Sequence, residues 1–379
     1  MAVRILHAHS TFSLGGKEGR AVRLMNALGD AAEHSILTSM PGQVSARAGI
    51  DRGIAADFPA DAPPLAGPPS PIRLLRLSRY MKRFDLVLTY NWGAFDAVMA
   101  RHMFGGPPLI HHEDGFNEDE AESLKSGRNL YRRLGLAAAY RLIVPSARLE
   151  SIARKAWGQP ARKIERIPNG IPVADYALAS ADDAIPGLEH REGEVIVGTV
   201  AGLRAVKNLP RLVRAFAAMS MKNSRLVIVG EGPESERIAA EARRLSVADR
   251  LLMPGFLPDP ARYIGRFSIF ALSSDSEQFP ISLIEAMAAG LPAVATAVGD
   301  ILPMVSDDNR PLIVEAGDEA AFAAALDSLA ERPDLRRAIG RANREKAVAE
   351  NDERHMIARD ARIYGEAIGD PDAFVAGSA

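Results

Sequence analysis

Two glutamates, Glu277 and Glu285, stand eight positions apart in the stretch Ser273 to Pro292, SSDSEQFPISLIEAMAAGLP. One carboxylate ahead of a helix and another about one turn inside it can both face a ligand, and acceptors so placed suit sugar hydroxyls. Free N–H groups at the helix start, with the positive end of the helix dipole, suit a phosphate beside them. Pro280 reads as the first helical residue, because its fixed φ fits there and its missing N–H costs little. Ile281, Leu283, Ile284, Met287 and Ala288 mark a buried face, and Gly290 followed by Pro292 marks the stop. The preceding run, FSIFALSS, reads as a strand. The helix therefore begins at a strand's carboxyl end, where an open parallel α/β sheet holds its ligands. Glutamates near a helix start also simply favour the dipole, so spacing alone leaves a structural role open.

With its EAMAAGLPAVAT continuation, this stretch resembles the donor-sugar signature of the retaining glycosyltransferases of family 4. The resemblance implies an α/β GT-B fold, two Rossmann-like doubly wound domains facing a cleft. It also implies transfer of a sugar from a nucleotide diphosphate donor, a UDP- or GDP-sugar, to an acceptor hydroxyl with retention at the anomeric carbon. By resemblance, Glu285 holds ribose hydroxyls and Glu277 the sugar, Phe279, Pro280 and Ile281 border the donor, and free N–H groups at the helix start meet the diphosphate. The family's G-R-L-x-x-x-K loop corresponds to AGLRAVK, so Lys207 matches the lysine that clamps the diphosphate. Gly202 stands where the family arginine belongs, and the nearest cation is Arg204, two positions on. A backbone cannot replace a bidentate guanidinium. Relatives of this fold need no metal on the diphosphate, and no D-x-D motif stands out here.

Length and composition agree with this reading. A chain of 379 residues can bury two sizeable cores, and 25% charged with 47% hydrophobic residues excludes disordered and collagenous classes. The absence of cysteine excludes disulfides and thiolate metal sites. No run approaches the roughly 18 apolar residues of a membrane span, and the start, MAVRILHAHSTFSLGG, lacks the apolar core of a signal peptide. A cytoplasmic protein is expected. Met1 to Leu178 carries 23 Lys and Arg against 17 Asp and Glu, and the remainder 23 against 31, so the first half suits an anionic partner. Nucleic acid is not expected as that partner.

Along the chain, VRILH reads as a first strand and Gly15-Gly16 as the turn before a helix. Glycines let backbone approach a phosphate there, and the pair matches the family's GG loop, with Lys17 and Glu18 as neighbours. The segment 71–84, IRLLRLSRYMKRF after Pro71, sets Ile72, Leu75 and Leu77 against Arg73, Arg76, Arg79, Lys82 and Arg83. Such a helix can pack on its own sheet or lie on an anionic membrane, which suits a glycan or lipid-linked acceptor. PPLIHHEDG ends a strand with His111, His112, Glu113 and Asp114. Adjacent side chains on a strand point opposite ways and chelate poorly, so no metal is expected. Relatives have a histidine at this strand end near the anomeric carbon. His111 is the preferred match, with His112 and Asp114 as rivals. The acidic run from Asn117 to Glu122 reads as a solvated loop.

IPNG at Ile167–Gly170 closes the first half, and the domains are expected at 1–178 and 179–355, with 356–379 as a helix crossing back. In the second half VGTVAG, VGEGP and MPGF each end a strand, and Phe256 in the last borders the nucleotide base by resemblance. Two other readings stay open: a nucleotide-sugar binder without turnover and a GT-B sugar-nucleotide epimerase. A Rossmann dehydrogenase fits least, because Gly15-Gly16 lacks the G-x-G-x-x-G spacing.

Overall fold

The computed structural model describes residues 2–374 apart from 14, 69, 117–119, 121–123, 179 and 190. Of the acidic run 117–122, only Glu120 therefore falls among the described residues. The chain divides into two compact units, Met1–Asn169 with Arg354–Ala379, and Gly170–Glu353.

The first unit alternates strand and helix: β1 (Val3–His9), α1 (Gly16–Leu28), β2 (Ala32–Thr38), β3 (Ala56–Asp57), α2 (Pro71–Met81), β4 (Leu86–Tyr90), α3 (Phe95–Phe104), β5 (Leu109–His112), α4 (Ser126–Leu136), β6 (Arg141–Val144), α5 (Ala147–Lys155) and β7 (Ile164–Arg166). The strands form one sheet in the order β3-β2-β1-β4-β5-β6-β7, every pair parallel. Helices cover both faces, so strands bury both sides and read as continuous apolar runs. Ile5 of β1 joins one core with Met25, Leu88 and Ile110, while neighbouring Leu6 joins the other with Leu77, Phe95 and Leu142.

The second unit repeats the rhythm: β8 (Val195–Val200), α6 (Leu209–Ala218), β9 (Ser224–Val229), α7 (Ser235–Arg244), β10 (Leu251–Gly255), β11 (Ile269–Leu272), α8 (Ile281–Ala288), β12 (Ala293–Thr296), α9 (Ile301–Met304), β13 (Ile313–Val314), α10 (Glu319–Glu331) and α11 (Pro333–Glu350). Its sheet runs β10-β9-β8-β11-β12-β13, again parallel throughout. Gly198 in β8 is a packing glycine, since a Cβ there would lie 2.1 Å from the ring of Phe267. In both sheets the strand order reverses once, between β1 and β4 and between β8 and β11. The crevice beyond the strand carboxyl ends at such a point is where doubly wound sheets bind ligands.

A last helix, α12 (Glu353–Ile368), belongs to the first unit from Arg354 onward. Met356, Ile363 and Tyr364 enter the core that contains Ile5 and Ile110. Buried Asp360 accepts from Arg20 Nη2 at 2.8 Å, and Arg20 also donates to the Ile167 carbonyl and Asn169. No helix among the described residues is long and apolar enough to cross a membrane.

Two local expectations need correction. In α2 the buried side chains are Leu74, Leu77, Ser78, Tyr80 and Met81, with Leu74, Leu77, Ser78 and Met81 at i, i+3, i+4 and i+7, and not the face that includes Ile72. Ile72, two positions before Leu74, falls on the far side of the helix and is 65% exposed. Pro280 is also not the first helical residue: its ψ of 116° makes it the cap, and α8 starts at Ile281.

Candidate functional site

In the second unit the candidate residues gather where the strand order reverses. The loop leaving β8 carries Arg204 and Lys207, and the loop leaving β11 carries Glu277. Lys207 Nζ donates to Glu277 Oε1 at 2.5 Å, and Ser274 Oγ donates to the same oxygen at 2.7 Å. Both charged side chains are largely buried, so the pair is screened little by solvent.

The two loops are laced together behind this pair. Ser273 Oγ donates to the carbonyls of Lys207 and Asn208 at 3.1 and 3.0 Å, and the Asp275 N–H donates to the Val206 carbonyl at 2.8 Å. Asn208, in the left-handed region that asparagine tolerates, donates through Nδ2 to both Asp275 oxygens. Arg211 holds the Ser273 carbonyl and Asp275, and Thr296 Oγ1 donates to the Ser274 carbonyl at 2.6 Å. Gly299, at φ +59°, lies so close to Glu277 that a Cβ would come within 2.3 Å of its carbonyl oxygen. Supporting bonds of this kind hold a site in one geometry before a ligand arrives.

Glu285, inside α8 and 8% exposed, accepts from Tyr176 Oη at 3.1 Å. Tyr263 also feels this carboxylate: burial first, then Glu285, pushes its hydroxyl well above the ordinary tyrosine value. No side chain caps the start of α8. Phe279 and Ile281 flank that start, partly buried against the core. Phe256 is 52% exposed after β10, where its N–H donates to Glu231 at 3.4 Å. The loop leaving β8 is pressed close to the β9 turn, since a Cβ on Gly230 or Gly232 would strike the carbonyls of Ala201 or Leu203.

Arg204 is exposed and has no carboxylate partner among the described residues. A Cβ built on Gly202 would lie 3.7 Å from Arg204 Nε. The Arg204 side chain thus bends back over the position of the absent arginine.

In the first unit Gly15 and Gly16 are exposed, between β1 and α1, with Gly15 as the N-cap. Lys17 Nζ meets Glu18 Oε1 at 2.6 Å and reaches Ser10 Oγ at 3.4 Å, while Thr11 Oγ1 donates to Glu18 at 3.4 Å. Glu18 folds back onto the turn, its Oε2 3.0 Å from where a Gly15 Cβ would stand.

At the end of β5 His111, the preferred match, is enclosed by its neighbours. His111 has no accessible surface; Thr89 Oγ1 lies 2.8 Å from its Nδ1, and Phe95 packs edge-on against the ring. His112 is equally buried and pairs with Tyr364 Oη at 2.9 Å. Asp114, just beyond the strand, is partly exposed, and Asn91 Oδ1 accepts its N–H at 2.7 Å. Burial raises the Asp114 carboxyl above its usual range, with Arg20 opposing and Glu113 reinforcing the shift. Local spacing gave no sign of Tyr176, Thr296, Arg20 or Tyr364, because each acts on a residue far away in sequence.

Comparison with known proteins bears on the family and the fold. Residues 5–175 match the model described as Glycosyltransferase Family 4, and residues 181–346 the model described as Glycosyl transferases group 1. A D-inositol 3-phosphate glycosyltransferase from Kribbella flavida is 32% identical over 284 residues, 70% of this chain and 67% of that protein. An N-acetyl-alpha-D-glucosaminyl L-malate synthase from Bacillus anthracis is 28% identical over 213 residues, 56% of each chain. These matches span between about half and two thirds of the curated relatives. Among solved structures, Anabaena HepE in complex with UDP superposes with a TM-score of 0.77 at 18% identity, over 94% of this chain and 98% of that one. Sucrose-phosphate synthase from Thermosynechococcus elongatus gives 0.78 at 21% identity, over 97% and 99%. The fold is thus GT-B with two Rossmann-like domains, and the chain belongs to the glycosyltransferases of group 1 and family 4.

Proposed function

We propose that this protein moves a sugar from a nucleoside diphosphate donor to an acceptor hydroxyl with retention at the anomeric carbon, in glycan or glycolipid synthesis in the cytoplasm. The observation that carries the reading is the Lys207–Glu277 pair at the reversal of the second sheet, with Glu285 about one turn inside the helix that follows. Without donor, Lys207 and Glu277 neutralise each other. With donor, Lys207 turns to the diphosphate and Glu277 accepts from sugar hydroxyls, so each charge exchanges one partner for another. Lys207, Arg204 and the first N–H groups of α8 then meet the charge that grows on the leaving diphosphate as the sugar becomes oxocarbenium-like. In this reading they supply that stabilisation without a metal.

Glu285, oriented by Tyr176, holds ribose hydroxyls, and exposed Phe256 meets the base. HepE crystallises with UDP and with UDP-glucose, which favours a uridine donor. Gly15 and Gly16 admit the donor or acceptor to the start of α1. Asp114 takes the place at the β5 end first expected for His111, accepting from the acceptor hydroxyl. Exposed Ile72, Arg76, Arg79, Lys82 and Arg83 on and after α2 suit contact with an anionic membrane carrying a lipid-linked acceptor. The test is incubation with nucleotide sugars and an acceptor extract, followed by assignment of the product's anomeric configuration by proton NMR. A product of inverted configuration overturns the mechanism, and conversion of donor without acceptor would indicate an epimerase.

A further inference from the structure

The first sheet has a second polar concentration, at the end opposite Asp114. A pocket of about 540 Å³ opens where β5 and β6 begin, and its lining includes Arg101, Tyr140, Arg141, Arg162 and Lys163 but no Asp or Glu. That volume lies within the range of small-molecule sites. Leu109 at this end and Asp114 at the other are five residues apart along one strand, which separates the two places by about 16 Å.

Four cations converging on one concavity repel each other unless something answers their charge. Helix dipoles account for two of them. Arg101 lies in the last turn of α3, and Lys163 Nζ donates to the Ala137 carbonyl just past α4 at 2.5 Å. They do not account for Arg141, which opens β6, or Arg162, which precedes β7. Arg141 is held in place by stacking on Tyr140, 4.6 Å from guanidinium carbon to ring centre, and by a bond to the Tyr140 carbonyl. The carboxylate beside it, Glu165, stands 3.7 Å from Arg141 Nε and is shared with Arg359 at 4.0 Å. Arg141 Nε is buried with no hydrogen-bond acceptor. Arg162 is exposed and has no carboxylate partner among the described residues. Burial first, then Arg162, Arg141 and Arg101, holds the Lys163 ammonium below its ordinary value.

We infer that the pocket at the amino end of the first sheet binds a soluble small molecule carrying a phosphate or diphosphate group, at a site separate from the proposed donor site. Arg141 and Arg162 supply the guanidinium donors that match phosphate oxygens, Lys163 adds a point charge, and a bound dianion removes the mutual repulsion.

The experiment is calorimetric titration of inorganic pyrophosphate into the full chain at fixed ionic strength. It uses a Lys207→Gln background, so that the proposed donor site contributes little. Saturable binding is expected, and Arg162→Gln, at an exposed side chain, should weaken it by about tenfold or more, as loss of one charge-assisted contact does. Adding Arg141→Gln should weaken it further, with circular dichroism confirming the fold. Affinity unchanged in Arg162→Gln and in the double variant would overturn the site, as would no saturable binding. Vesicles of phosphatidylcholine with phosphatidic acid form a second arm. Binding to these alone, with none to pyrophosphate, would also overturn a soluble ligand. None of these outcomes depends on sugar transfer, so failure here leaves the proposed function standing.

Discussion

Five histidines of the first unit are buried, and four of them, His7, His9, His34 and His112, lie close together at the centre of its sheet. His7 Nε2 lies 3.0 Å from His34 Nδ1 and its Nδ1 3.2 Å from Tyr90 Oη, while His9 stacks on Tyr90 and His112 meets Tyr364. Burial holds His34 down to about 4, and holds His7, His9 and His112 well below the ordinary value, with neighbouring cations and histidines adding to the effect. Their folded values lie below the unfolded one. The folded state therefore binds fewer protons, and the stability they contribute is complete above about pH 6.5 and lost as pH falls below it. At pH 5 the His34 contribution alone is about 2 kcal/mol, a large fraction of a domain's stability, and the other three histidines act in the same direction. Both tryptophans, Trp92 and Trp157, lie in the first unit, so their fluorescence during urea unfolding reads that unit alone. The urea midpoint should drop steeply between pH 7 and pH 5, and His34→Gln should make the drop shallower by about one proton. A midpoint flat over this interval, or a slope unchanged in His34→Gln, would mean that these histidines do not couple folding to protonation.

Gly198→Ala should cost about 1–3 kcal/mol or more in urea unfolding followed by circular dichroism, because its Cβ would overlap the Phe267 ring. Arg204→Gln should lower donor turnover by about tenfold or more if its guanidinium serves the diphosphate, whereas Gly202→Arg should not lower it. Turnover unchanged in Arg204→Gln would remove Arg204 from the site. Asp114→Asn should reduce transfer while leaving donor affinity near that of the wild type, measured by steady-state kinetics and calorimetry; equal loss of both would place Asp114 on the donor.

The alternation of strands and helices was legible because doubly wound strands are apolar on both faces, and turns such as Gly15-Gly16 and Gly290 punctuate them. The resemblance of one local motif and one loop pointed to Lys207 and Glu277, which the fold brings into contact. What sequence left open is decided by distant partners. Nothing near His111 shows that Thr89 and Phe95 enclose it, and His112 finds Tyr364 at a separation of 252 positions. In α2 two apolar stripes compete, through Ile72 and through Leu74, and only packing on the sheet selects the second. Arg204 bends over Gly202 because the loop turns back between them, with the Arg204 N–H on the Gly202 carbonyl at 2.8 Å.

The most direct test of the central claim is calorimetric titration of UDP- and GDP-sugars into the wild type, Lys207→Gln and Glu285→Gln. One nucleotide sugar should bind the wild type, and each variant should lose about tenfold or more in affinity. A donor that binds all three proteins equally, or no nucleotide sugar binding at all, would contradict that claim.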